Sequence, residues 1–189
     1  MEKRVLILTG APGVGKTTVL AKTVSVLRGR GVDVGGMFSR EVRKGSTRVG
    51  FEIVDIATAK VGCLAGLNQK SGPQVGKYRV NMIDLDEVGV QAINYALENC
   101  DAVAIDEIGP MELFSKRFKC IARKAFDNQK LIIAVIHQKA QDNLVIGAKK
   151  RTDAEVFLVT PENRKILSDI VAEKAVSFLR AHQKARDNF

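Results

Sequence analysis

Short, continuous apolar runs alternate along this chain with longer stretches in which apolar residues recur every three or four positions. Val5-Leu6-Ile7-Leu8, Ala102-Val103-Ala104-Ile105, Leu131-Ile132-Ile133-Ala134-Val135-Ile136 and Val156-Phe157-Leu158-Val159 contain no polar residue. Such runs predict strands covered on both faces. Val19, Leu20, Thr23, Val24 and Leu27 then fall on one side of a helix that Gly29 and Gly31 end. A second helix is expected to start at Asp84, with Asp84 as cap, Glu87 three residues on, and Val88, Ile93, Ala96 and Leu97 as its buried face. Leu113 to Phe126 predicts another. Thr160-Pro161 predicts the cap and first position of the last helix, with Ile166, Leu167, Ile170, Val171, Phe178 and Leu179 as its buried stripe. The polar tail from His182 to Phe189 is expected to fray.

The stretch from about residue 39 to 80 breaks this rhythm. A strand is expected around Asp33 to Ser39. Lys44-Gly45-Ser46 is a turn signal, and Val49, Phe51 and Ile53 alternate as in a half-buried strand. Lys60 to Leu64 predicts its antiparallel partner. Gly66 to Gly76 reads as a loop near a ligand. The pattern as a whole predicts an α/β fold in one domain over 1–189, with a mostly parallel sheet, helices on both faces and a β-hairpin insert.

Composition narrows the class. The 189 residues are 46% hydrophobic, which argues for a globular chain. No stretch approaches the roughly 20 apolar residues that span a bilayer. The apolar run after Met1-Glu2-Lys3-Arg4 is too short for a signal sequence. A cytoplasmic monomer with no membrane partner is expected. Cys63, Cys100 and Cys120 are odd in number and lack CxxC spacing, so neither a disulfide framework nor a zinc site is suggested. The net charge of +9 suits polyanions, either nucleotides or nucleic acid, and suits a solvated basic surface as well. Trp is absent, which argues against a base-stacking platform.

The chemistry is concentrated in two places. Gly10-Ala11-Pro12-Gly13-Val14-Gly15-Lys16-Thr17-Thr18 meets the spacing G-x-x-x-x-G-K-T, after an apolar strand and before a helix. Glycines let successive backbone N–H groups face phosphate oxygens, and the helix N-terminus adds positive potential. Lys16 is expected to reach the β- and γ-phosphates, and the Thr17 hydroxyl to ligate Mg2+. Asp106 ends an apolar strand, where a carboxylate can hold the same Mg2+. Glu107 can then orient or deprotonate a water, which favours hydrolysis over transfer to an acceptor.

His137 ends the Leu131 to Ile136 strand and is a candidate sensor of the γ-phosphate. That role requires its strand to lie between the Gly-rich-loop strand and the Asp106 strand. Asn163 and Arg164, in Thr160-Pro161-Glu162-Asn163-Arg164, are candidates to contact base or ribose. Arg40, Arg43, Arg79, Arg117 and Arg151 are candidate arginine fingers with nothing to choose among them.

Together these segments resemble the nucleoside-triphosphatases first described as thermophilic phosphohydrolases, a family whose human member is a cancer-related nucleoside-triphosphatase. The resemblance rests on the Gly10 to Thr18 loop, on Ser39-Arg40-Glu41-Val42-Arg43 with Arg48 to Val54, on Ile105 to Ser115, and on Val156 to Arg164. It departs at Pro110, where members often have Lys, and at Gln138-Lys139, where they often have a more basic stretch. The resemblance implies a RecA-like core and Mg2+-dependent hydrolysis of ATP, GTP and other nucleoside triphosphates to diphosphate and phosphate, with broad base tolerance. On the residues alone, two other readings stay open. One is a nucleotide or small-molecule kinase with an acceptor pocket in Gly66 to Tyr78. The other is a nucleic-acid-binding switch that hydrolyses slowly.

Overall fold

The computed structural model describes residues 3–187. Its centre is a nine-stranded sheet built on the apolar runs. Five strands are parallel: β1 (Val5–Thr9), β2 (Val34–Lys44), β7 (Ala102–Ile108), β8 (Leu131–Ile136) and β9 (Ala154–Leu158). The rest extend it antiparallel: β3 (Thr47–Asp55), β4 (Val61–Gly66), β5 (Gln74–Val75) and β6 (Tyr78–Val80). The order across the sheet is β5-β6-β4-β3-β2-β7-β8-β1-β9.

Alternation along each doubly covered strand divides two cores. Val5 and Ile7 of β1, with Ile132, Ala134 and Ile136 of β8, face one side. There they meet α3 (Gln91–Asn99), α4 (Lys116–Asp127) and α5 (Asn143–Lys150), whose inward residues include Ile93, Phe118 and Val145. Leu6 and Leu8, with Leu131, Ile133 and Val135, face the other side. There they meet α1 (Lys16–Gly29) and α6 (Arg164–Asp187) through Leu20, Leu27, Val171 and Ala175. Every residue of β1 and β8 is buried, which is why these runs carry no alternation in sequence.

Several boundaries differ from expectation. The second helical region starts at α2 (Met82–Asp84), not at an Asp84 cap. Asn81 is the cap, accepting from the N–H groups of Ile83 and Asp84. Asp84 instead accepts from the N–H of Cys63 on β4, at 2.6 Å. A π-helical stretch, Leu85–Val90, joins α2 to α3. The expected loop at Gly66 to Gly76 holds the two residues of β5 near its end. The helix expected from Leu113 is a 3-10 turn at Glu112–Phe114 followed by α4, capped by the Ser115 hydroxyl. α6 begins at Arg164, with Pro161 in the preceding turn, and continues to Asp187 through the tail expected to fray. Asn188 and Phe189 lie outside the described residues. Ile166 and Ile170, expected inside, are exposed, and Leu167 and Val171 carry the buried stripe. Among the described residues no helix is long and apolar enough to cross a membrane.

Candidate active site

The C-terminal ends of β1, β7 and β8 bring the expected residues to one edge of the sheet. After Thr9 the chain passes through Gly10, Gly13 and Gly15 with φ of 152°, 74° and 108°. These values suit glycine, and at Gly10 an added Cβ would stand 2.6 Å from the Val159 carbonyl oxygen. Gly15 is the N-cap of α1 and offers no side chain. The first turn of α1 contains no acidic residue. Its leading N–H groups and positive potential are therefore available to an anion. Lys16 is buried against the loop, where its Nζ donates to the carbonyls of Gly10 and Ala11, both at 3.2 Å.

Across β8 stands the carboxylate pair. The β7–β8 ladder breaks between Ile105 and Ile108, so Asp106 and Glu107 form an irregularity at the site edge. Asp106 is fully buried and neither of its oxygens has a hydrogen-bond partner. Burial pushes its carboxyl up to about 7, and the Glu107 charge pushes the same way. The Thr17 hydroxyl and the Lys16 ammonium approach and pull it back down, without closing a hydrogen bond on it. A buried carboxylate with two open oxygens facing a threonine hydroxyl fits a hard divalent cation such as Mg2+. Such an ion takes few protein ligands when substrate phosphates supply the others.

Glu107 is half-buried, and its Oε1 is enclosed without a partner. The turn after it is held by Glu112, whose Oε2 accepts from the Gly109 N–H at 3.1 Å. Glu112 is buried, which pushes its carboxyl up to about 8. Sequence reading passed over this residue. An acid inside an otherwise mixed segment has no periodic signature that separates it from a surface acid. Further on, Ser115 caps α4 through the Phe118 N–H and donates to Asp86 at 2.6 Å. Pro110, at the family's frequent Lys position, is exposed.

β8 lies between β1 and β7, as the sensor role for His137 requires. His137 is half-buried. Its backbone N–H bonds to the Ile108 carbonyl and its Nδ1 accepts from the Lys139 N–H at 3.3 Å, which leaves Nε2 as the ring nitrogen that can donate. On the other flank, Asn163 accepts from the Thr160 N–H at 2.9 Å and donates to the Leu158 carbonyl at 2.8 Å. Its side chain is thus occupied in shaping the turn. Arg164 lies along the loop, donating to the Val14 carbonyl at 3.3 Å with its Cδ beside Gly15.

The five candidate arginines are occupied elsewhere. Arg40 pairs with Glu52, Arg43 with Glu41, Arg117 with Asp86, and Arg79 donates to the Gly72 carbonyl. Arg151 pairs with Asp127 and Asp153 just before β9, at the end where β9 and the neighbouring parallel β1 begin, whereas the Gly-rich loop follows the end of β1. A cavity of about 520 Å³ does open against part of the region proposed for a kinase acceptor, lined by Phe51, Cys63, Gly66 and Asn68 among others. It sits on β3 and β4, separated from β1 by β2, β7 and β8. Strand spacing alone puts that at about 20 Å, too far for in-line transfer.

A glycine-rich loop and a buried carboxylate at the C-terminal ends of parallel strands define a nucleotide-binding α/β enzyme. The family model described as NTPase matches residues 5–172. The chain belongs to this NTPase family and is a nucleoside-triphosphatase. It is 42% identical over 180 residues to nucleoside-triphosphatase THEP1 of Thermofilum pendens, covering 95% of this chain and 99% of that one. It is 38% identical over 168 residues to the protein of the same name from Thermotoga maritima, with 88% and 93% covered. Its fold matches the crystal structure of THEP1 from the hyperthermophile Aquifex aeolicus, with a TM-score of 0.78, 29% identity, and 88% and 96% of the chains covered. The solution structure of a human cancer-related nucleoside triphosphatase matches with a TM-score of 0.73, 34% identity, and 89% and 95% covered.

Proposed function

We propose that this chain, acting as one domain, hydrolyses the β–γ bond of Mg2+-bound nucleoside triphosphates with little base discrimination, releasing nucleoside diphosphate and phosphate. The observation that carries the reading is the buried Asp106 carboxylate with two open oxygens, followed at once by Glu107. In this reading the N–H groups from Gly10 to Thr18, through Ala11, Pro12's neighbours, Gly13, Val14 and Gly15, cradle the phosphates, and Lys16 turns from its own loop carbonyls to the β- and γ-oxygens. Thr17 and Asp106 would hold Mg2+, which would supply positive charge to the triphosphate. Glu107 orients the attacking water and accepts its proton. The Nε2 of His137 donates to the charge that grows on the γ-phosphate. Arg164 reaches the ribose or base from its place on the loop, and Asn163 fixes the turn that presents it.

Steady-state phosphate release by Glu107→Gln tests the reading. A fall in kcat of about a hundredfold or more, with binding of the Mg2+–triphosphate retained, is expected. Wild-type turnover in that variant would remove Glu107 from the chemistry.

A further inference from the structure

Glu112 is a buried carboxyl that the hydrolytic scheme does not use. It is 4% exposed, nearly closed off from bulk water. Burying a carboxyl is costly, and backbone N–H groups of its own turn, its own and that of Gly109, offset part of the cost, while two further backbone bonds brace the turn. The Leu113 N–H bonds to the Gly109 carbonyl and the Ser115 N–H to the Glu112 carbonyl, both at 3.0 Å. Ser115 caps the helix that follows. What the side chain adds to this turn is therefore one anchor, on the buried Gly109 N–H.

Its surroundings point to Glu107. Oε2 of Glu112 holds the Gly109 N–H. A Cβ built on Gly109 would stand 3.3 Å from Glu107 Oε1, 3.4 Å from Glu107 Cγ and 3.4 Å from Glu112 Oε2. Both acidic side chains therefore close on one bare glycine, with Glu107 lying flat against it. Glu107 Oε1 is buried without a hydrogen-bond partner, and Gly109 bounds that side of the carboxylate. Whatever fixes Gly109 fixes Glu107.

We propose that Glu112 is a positioning residue: it anchors Gly109, and Gly109 is the wall that aims the Glu107 carboxylate at the water. This rests on the reading of Glu107 given above. Misplacement of a reacting group by about 1 Å can lower a rate about a hundredfold, so the anchor matters to kcat without touching substrate.

The test compares Glu112→Ala, Glu112→Gln, Gly109→Ala and Glu107→Gln, with the double variants Glu107→Gln/Glu112→Ala and Glu107→Gln/Gly109→Ala. The readouts are kcat and KM for phosphate release, with melting curves to verify folding. Gly109 is not in the left-handed region, so alanine there adds only the contact with the two acids. Glu112→Ala and Gly109→Ala should each lower kcat by about 10- to 100-fold with KM nearly unchanged. Glu112→Gln, which keeps the acceptor for Gly109, should retain most of kcat. In the Glu107→Gln background, either second change should cost little more, since both act through the same group. Normal kcat in folded Glu112→Ala and Gly109→Ala, or losses that multiply with that of Glu107→Gln, would overturn the proposal while leaving the role of Glu107 intact. An active Glu107→Gln enzyme would instead overturn that role, and this proposal with it.

Discussion

Lys16 illustrates what single residues contribute and how far they can be read. Its ammonium bonds to two carbonyls of its own loop, so the side chain is already folded over the place where phosphates are proposed to sit. Lys16→Ala should lower kcat/KM by about a hundredfold or more, and Lys16→Arg should not rescue it, because a planar fork does not fit where a point charge sits. Phosphate release and nucleotide titrations check both. The loop, Asp106 and Glu107 were legible because their spacing and their place after apolar runs are local facts of the chain. Glu112 was not, since its burial depends on how a turn packs beneath the sheet edge. Asn163 and Arg164 were legible as a pair. Only the fold separates them, giving one to the turn and laying the other on the loop.

Elements were legible where one strong signal governed them and misread where two competed. Asn81 and Asp84 are both good caps. A contact with Cys63 on β4, 21 positions away in sequence, takes Asp84 out of the contest. In α6, Ile166 with Ile170 and Leu167 with Val171 have the same spacing, and the docking of α6 against α1 chooses the second pair. α5 gives a pH-dependent prediction. Asp142 caps it by accepting from the Leu144 N–H at 2.9 Å and pairs with Lys119 at 2.9 Å. The Leu144 N–H bond, then the Lys119 bond, hold its carboxyl below the usual carboxylate range. A carboxyl lowered by folding stabilises the fold above its unfolded pKa, near 4, and loses that contribution as pH falls through the lowered value. Asp142→Ala should therefore cost about 1 kcal/mol at neutral pH, and the difference from wild type should shrink below about pH 4. Denaturant unfolding at both pH values measures it.

For the molecule as a whole, the alternation of doubly buried runs with helical stretches made the parallel core legible. The order of strands was not legible, because four apolar runs of similar character can be arranged in several ways. The structure inserts β8 between β1 and β7, and that choice puts His137 between the loop and the carboxylates. A site built across so many elements couples ligand to fold. A non-hydrolysable triphosphate with Mg2+ at about 100 times its Kd should add about 2.7 kcal/mol of stability. For a chain of this size that raises Tm by about 5 to 10 °C. A chelator, or Asp106→Asn, should remove much of the rise in a thermal melt. The same arrangement also sets a schedule. β1 is among the first segments of the chain, yet its two neighbours in the sheet, β8 and β9, begin at residues 131 and 154. During synthesis the Gly-rich loop leaves the ribosome more than a hundred residues before the strands that flank it. The growing polypeptide thus cannot assemble the surroundings of the loop until β8 and β9 have emerged beside β1.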